Sequence, residues 1–149
     1  MKTRNLNTSQ LLFLCGGGLA IIALFLPAFA VSGANGNNIS INGYDSGSSY
    51  TQFDGNDIGL IQLNSIVGAI ALLIGLFRKG KPNKPYLWWL GILSGLTGLM
   101  IIYALFEFFS IDPSPNVRVF GPSLPAGLLS AILVTIGGFI KVPNVVETQ

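Results

Sequence analysis

The sequence predicts an all-α membrane protein, a four-helix transmembrane bundle with a short β-hairpin in its first extracytoplasmic loop. Three observations predict it. Half of the 149 residues are hydrophobic and 9% are charged, whereas a soluble domain carries about a quarter charged residues. Four apolar runs without a charged residue, at about 11–29, 58–77, 87–106 and 124–140, approach the roughly 20 residues that cross about 30 Å of hydrocarbon. The basic residues fall almost wholly in alternate connections between those runs. One four-span membrane domain over 1–149 accounts for the whole chain.

Composition also excludes chemistry. There is no His and a single Cys, which removes an internal disulfide, a Cys-rich zinc site, a His-ligated haem and a Ser-His-Asp triad. No cofactor and no metal is expected.

The first run, 11–29, follows Lys2 and Arg4 and ends at Ala28-Phe29-Ala30, which imitates a secretory signal with its cleavage site. Its apolar stretch of about 19 residues exceeds the roughly 7 to 15 of a signal core, so an uncleaved first helix is expected. Cys15 follows Leu14 and precedes three glycines, a poor setting for lipid attachment, and reads as a small buried residue.

The outer loop 30–57 is rich in Gly, Asn, Ser and aromatic residues. Phe29, Val31 and Gly33 alternate with small or polar residues, Asn35-Gly36-Asn37 supplies turn chemistry, and Ile39 and Ile41 alternate beyond it. A three-residue loop at 35–37 would place Val31 opposite Ile41 and group the apolar side chains, whereas a two-residue turn would pair Val31 with Ser40. Asn42-Gly43 ends the second strand, and Tyr44, Tyr50 and Phe53 are expected to cover the bundle top. Asn38-Ile39-Ser40 is a glycosylation sequon if the source is eukaryotic. Asp54-Gly55-Asn56-Asp57 resembles a calcium loop only locally, since its fifth and twelfth positions are Ile58 and Ser65. Asp57 or Asn56 is instead expected to cap the second helix.

Between the second and third runs lie Arg78, Lys79, Lys81 and Lys84, broken by Pro82 and Pro85. With Lys2, Arg4 and Lys141 they place seven of the eight basic residues on one side, which the positive-inside rule makes cytoplasmic together with both termini. The plasma membrane is the expected location. The cluster sets topology and attracts anionic headgroups; it lacks any nucleic-acid module, and no nucleic-acid partner is expected. Trp88 and Trp89, beside Tyr86, suit an aromatic belt at headgroup level, or one of them packs between helices. The second outer connection, 110–123, holds Pro113, Pro115 and Pro122 and is expected to be irregular but stiff.

Within lipid, helices associate through small residues that let backbones approach. Gly91, Gly95 and Gly98 with Ser94 supply such a face in the third run, Ala71 and Gly75 in the second, Gly127 and Ala131 in the fourth, and Gly16 and Ala20 in the first. These faces serve packing within the chain, or docking to other membrane proteins or to a second copy as a homo-oligomer. Gln62, Asn64, Glu107 and Arg118 form a candidate polar cluster, or interhelical hydrogen bonds, at the outer rim. No ionisable residue falls near a midplane, which removes the protected carboxylate a proton-coupled carrier needs.

Four spans with both termini inside and a partly β first outer loop resemble the claudin-type tetraspan arrangement. The chain departs from that family in lacking the outer-loop Trp, Gly-Leu-Trp and two Cys, so the resemblance implies architecture alone. Phe25-Leu26-Pro27 followed by Ile39-Ser40-Ile41-Asn42-Gly43-Tyr44-Asp45 is similar to small uncharacterised prokaryotic four-span membrane proteins, a resemblance that implies no function. A structural or accessory membrane subunit, packing with partner membrane proteins in the lipid bilayer through Gly-rich helix faces and the outer loop, is therefore the leading expectation, and the chain is not expected to be an enzyme. A small oligomeric channel, pore or carrier is the alternative, weakened because no helix carries a continuous polar stripe. A surface enzyme would have only Asp45, Asp54, Asp57 and Glu107 as acids or bases.

Overall fold

The computed structural model describes residues 7–32, 38–42, 55–77, 85–110 and 118–140. Four helices, α1 (Thr8–Phe25), α2 (Gly55–Phe77), α3 (Pro85–Ser110) and α4 (Ser123–Phe139), account for most of them. Strands β1 (Pro27–Ser32), β2 (Asn38–Asn42) and β3 (Arg118–Phe120) make up the remaining regular structure. Three of the helices, α1, α2 and α3, are long and apolar enough to cross a membrane, which makes this a membrane protein. The fourth, α4, is equally apolar but has 17 residues, about 25 Å at 1.5 Å per residue, short of the roughly 30 Å hydrocarbon core.

Helix boundaries follow local chemistry. α1 begins in a reciprocal cap: Asn7 Oδ1 accepts from the Gln10 backbone N–H at 2.8 Å, and Gln10 Oε1 accepts from the Asn7 N–H at 3.2 Å. It ends at Phe25, four residues before the apolar run does. The reason is Pro27, whose ring forces the preceding Leu26 into extended backbone, φ −80° and ψ 151°. Ala28-Phe29-Ala30 consequently belongs to β1 and not to a helix end. α2 starts at Gly55, so Asn56 and Asp57 occupy its first turn and not the capping position expected of them. In that turn a carboxylate still complements the helix dipole. Pro85 opens α3, where its missing N–H costs nothing.

β1 is the centre of a three-stranded sheet ordered β2-β1-β3. Antiparallel pairing with β2 sets Val31 opposite Ile39 and Phe29 opposite Ile41, with an irregularity between Pro27 and Phe29. This corrects the expected register by two residues. A shift of two preserves the odd-with-odd pairing that the apolar alternation requires, and it leaves residues 33–37, outside the described set, between the strands. β3 corrects a second expectation, because part of the connection expected to be irregular pairs antiparallel with the other edge of β1, Phe120 opposite Phe29 and Val119 opposite Ala30. Val119 and Phe120 are good strand formers, and pairing with β1 satisfies the backbone groups that face the ladder. The fold is thus four helices with a small sheet at one end. Tyr44, Tyr50, Phe53 and Asp54 lie outside the described residues.

Residue pairs across the helix interfaces fix the direction of each helix. Along α1, Gln10 and Leu14 meet Gly75 while Ala20 meets Gly68, so α2 runs antiparallel to α1. Ser9 bonds Gly137 and Ser123 bonds Ala23, so α4 also opposes α1. Leu87 lies on Gly138 while Gly98 lies on Ala131, so α3 opposes α4. The start of α1, the end of α2, the start of α3 and the end of α4 therefore share one end of the bundle, and the strands join the other.

The core is layered. Phe13, Val67, Ala71, Leu87, Leu90 and Val134 pack together toward the first end; Ala28, Ile61, Ile101 and Leu124 pack toward the sheet. Between them lie the buried polar residues Asn64, Ser65, Ser94, Thr97 and Ser130. The exterior carries large apolar side chains, Phe25, Ile66, Leu73, Leu99 and Tyr103 among them, the arrangement lipid favours because tails are as apolar as leucine and exert no squeeze on helices.

Backbones approach closely where α1 meets α2: a methyl group on Gly17 would meet Leu72 N at 2.8 Å as well as the Gly68 carbonyl. Gly18, the next residue, has nothing within 4 Å of that position. Gly17→Ala is expected to destabilise the fold by about 1–3 kcal/mol through overpacking, and Gly18→Ala to leave it unchanged or gain up to about 1 kcal/mol from helix propensity. Thermal unfolding of the purified protein in detergent compares the two; equal midpoints for both variants would contradict the packing described.

Candidate functional site

The polar residues of the interior form a seam in which side chains of one helix bond the main chain of another. Serine and threonine hydroxyls are short enough to reach a neighbouring backbone only where small residues bring the helices together. Ser9 Oγ donates to Gly137 O at 2.6 Å, Ser130 Oγ to Gly16 O at 2.8 Å and Ser123 Oγ to Ala23 O at 2.6 Å, all between α1 and α4. Ser65 Oγ reaches Ala20 O at 2.9 Å from α2, sharing its proton with Ile61 O at 2.9 Å. Between α3 and α4, Ser94 Oγ donates to Ala131 O at 3.1 Å, and Thr135 Oγ1 lies 3.3 Å from Gly91 O while bonding Ala131 O at 2.7 Å. Gly137 O belongs to the last turn of α4, where carbonyls lack partners within the helix, and Ala23 O accepts the Leu26 N–H of the α1 cap at 3.3 Å as well.

Asn64 is the node of the seam. Its Nδ2 donates to Gly127 O of α4 at 3.2 Å, and its Oδ1 accepts from Thr97 Oγ1 of α3 at 3.3 Å; Thr97 also reaches Ser94 O at 2.8 Å. One side chain thereby joins three helices. Asn64 is 1% exposed, and because α2 starts at Gly55 it lies about 13 Å along that helix. Every described buried side-chain nitrogen and oxygen has a hydrogen-bond partner.

The rest of the expected polar cluster is not assembled among the described residues. Gln62 is half-buried on α2. Glu107 falls within α3 and Arg118 opens β3, and the side chains of both lie outside the described set. Arg78, Lys79, Lys81 and Lys84 lie outside it as well. Among the described residues no three His, Cys, Asp or Glu gather as a metal would need.

The packing glycines serve contacts within the chain. A methyl group would meet Phe139 Cε2 at 3.2 Å at Gly91, Leu14 Cγ at 3.0 Å at Gly75, Ala131 Cβ at 3.1 Å at Gly98 and Ile101 Cδ1 at 3.5 Å at Gly127. Gly95 is looser, with Thr135 Oγ1 at 3.6 Å. There α3 and α4 part slightly and leave an open-sided apolar groove of about 210 Å³, lined by Gly95, Gly98, Leu99, Leu128, Ile132 and Ile136. Trp88 and Trp89 are exposed at the first end of the bundle, and Trp88 also tilts against Phe139 with ring centroids 6.4 Å apart. Cys15 is exposed, which corrects its reading as buried: Gly16 and Gly17 take the two inward positions, and one residue is a turn of about 100° on a helix.

Apart from Ser94, which the sequence marks as a small packing residue, the hydroxyl donors escape a sequence reading because apolar counting ignores Ser and Thr. Their signal is the recurrence of a small polar residue beside small-residue pairs, as in Ser94 with Gly91 and Gly95, or Ser130 with Gly127 and Ala131. Comparison of the chain with protein-family models and with curated proteins gave no match.

Loss of the Asn64 amide removes the second, side-chain donor to Gly127 O and the acceptor of Thr97 Oγ1 on the neighbouring helix, and leaves a void between three helices. Asn64→Ala is expected to cost about 1–3 kcal/mol, and the coupling between Asn64→Ala and Thr97→Val to be near 0.6 kcal/mol, typical of hydrogen bonds between membrane helices. Unfolding free energies in mixed micelles for the two single variants and the double variant measure both; a destabilisation below about 0.3 kcal/mol for Asn64→Ala would remove it as the node.

Proposed function

We propose that this protein is a structural or accessory subunit of a membrane assembly, holding four spans in the plasma membrane with both termini in the cytoplasm. In that arrangement α4 crosses as a short fourth span, and residues 33–37 close a hairpin between β1 and β2. The observation that carries the reading is how the sheet joins the helices: β1 follows α1 directly, and its Ala28 is buried with Ile61, Ile101 and Leu124 of the three other helices. The Gly121 N–H donates to Ala28 O at 3.0 Å, directly before Ser123 bonds Ala23 O. Strands from both outer connections thus share one sheet, ordered on a rigid base, which suits recognition of another protein. Since Gly75, Gly91, Gly98 and Gly127 are occupied within the chain, the surface left for a partner narrows to the sheet and the looser α3/α4 face at Gly95.

Gly121 is the residue that tests this. Any side chain there collides with the Pro27 carbonyl and lies 2.8 Å from Ala28 O, so Gly121→Val is expected to detach β3 while the helices persist. Gentle solubilisation followed by native mass spectrometry is expected to find the chain with a second membrane protein in fixed stoichiometry, and the Gly121→Val chain alone with unchanged helical circular dichroism. A monodisperse monomer, or a homo-oligomer that passes ions across liposomes, would overturn the accessory reading. Reporter fusions at either end are expected to place both termini in the cytoplasm, and an external reporter at either end would overturn that orientation.

A further inference from the structure

The level at which helix gives way to sheet limits how much of the bundle hydrocarbon can cover. Leu26 is already extended ahead of Pro27, Pro122 precedes the first residue of α4, and Ser123 Oγ reaches Ala23 O at 2.6 Å between them. At the foot of the sheet Ala28 is buried with Ile61, Ile101 and Leu124, and the polar Asn42 pairs with Pro27. Among the described residues β2 and β3 are edge strands. Open sheet edges do not occur in lipid-exposed hydrocarbon, because their free N–H and C=O groups would have no partner there. The foot of the sheet therefore marks the outer limit of the apolar slab.

From that level to the opposite end the four helices agree on one length. At 1.5 Å per residue, Thr8–Phe25 of α1 and Ser123–Phe139 of α4 measure about 27 and 25 Å, and residues 61–77 of α2 and 86–101 of α3 about 24 and 23 Å. Exposed aromatic residues repeat the measure on α3, with Tyr86, Trp88 and Trp89 toward one end and Tyr103 toward the other. Tyr86 and Tyr103 lie about 25 Å apart along the axis, a spacing that suits rings settled at the two headgroup levels. An average hydrocarbon core is roughly 30 Å thick. The outer pair cannot close that gap by growing: Pro27 bars another turn of α1, the Asn7–Gln10 cap closes its other end, and Ser9 on Gly137 ties α4 level with it. Tilting would only shorten the span.

We propose that the bundle is matched to a hydrocarbon core of about 25 Å and gathers short-chain phospholipids at its perimeter, thinning the bilayer where only longer chains are present. Length complementarity selects the lipid, since each ångström of mismatch has a cost and about 5 Å of it sorts chains of different length. Residues 55–60 of α2 and the end of α3 beyond Tyr103 then stand beside the sheet, outside the hydrocarbon. The proposal rests on α4 crossing beside α1, which the terminal reporters test separately, and it holds whether or not a protein docks on the sheet.

The protein supplies its own reporters. The full chain is reconstituted in equal parts of phosphatidylcholines with chains of about 14 and about 22 carbons, one or the other brominated. Quenching of Trp88 and Trp89, its only tryptophans, is normalised to bilayers of each brominated lipid alone. The shorter lipid is expected to be enriched about twofold around the protein; equal shares, or enrichment of the longer lipid, would overturn the proposal. A second measurement locates the boundary in bilayers of the shorter lipid. A nitroxide on Cys15, exposed near mid-length of α1, is expected to be shielded from a water-soluble relaxation agent, and a nitroxide at residue 25 of the Cys15→Ser, Phe25→Cys chain to be relaxed several-fold more. Equal shielding at the two positions would put the foot of the sheet inside hydrocarbon and overturn the proposal as well. The lipid competition uses the unaltered chain, so it decides the matter even if the variant fails to insert.

Discussion

The hydroxyl that reaches from one helix to the main chain of the next is the contact on which the rest of this structure depends. It demands that two backbones lie close, and that in turn demands glycine, alanine or serine at the crossing. Ser9 on Gly137, Ser130 on Gly16 and Ser65 on Ala20 all meet that condition. In water such contacts would be secondary to apolar burial. Between helices in lipid no comparable squeeze exists, and close packing with shared hydrogen bonds becomes the cohesive term. The large side chains can then face outward, where Phe25, Phe77 and Phe106 are found.

The polar layer around Asn64 adds specificity to that cohesion. Apolar clusters on either side tolerate some sliding, since one leucine contact resembles another. A carboxamide that must find Thr97 on one helix and Gly127 on another permits a single register. The layer also separates the half of the bundle that carries the sheet from the half that carries the basic connections, so each end is built on its own apolar cluster.

The four helices were legible as uncharged apolar runs, and their centres agree with the sequence reading because span length and charge are strong, local signals. What the sequence concealed was set by short-range chemistry or by distant pairing. The apolar run continues past Phe25, but the ring of Pro27 does not permit a helix there. Arg118-Val119-Phe120 reads as loop until β1 is seen to offer an edge ninety residues away in sequence. The inward turn of Gly17 and the outward turn of Cys15 are opposite outcomes for small residues two positions apart, and only the identity of the neighbouring helix separates them. Of the candidate site residues, Asn64 could be read as polar from the sequence, whereas its partners Thr97 and Gly127 come from helices distant in the chain and could not.

The bonds that α1 makes with α4 span nearly the whole chain: Ser9 to Gly137, Gly16 to Ser130 and Ala23 to Ser123 lie 128, 114 and 100 residues apart. α1 therefore waits for α4. Until α4 arrives, the Gly16 side of α1 has only lipid beside it although its Gly17 side already meets α2, and β1 has no β3 along its second edge. Assembly is a closing ring: α4 must leave the ribosome before α1 finds its second neighbour, and a chain cut short before residue 123 would enter the bilayer with that seam unbuttoned.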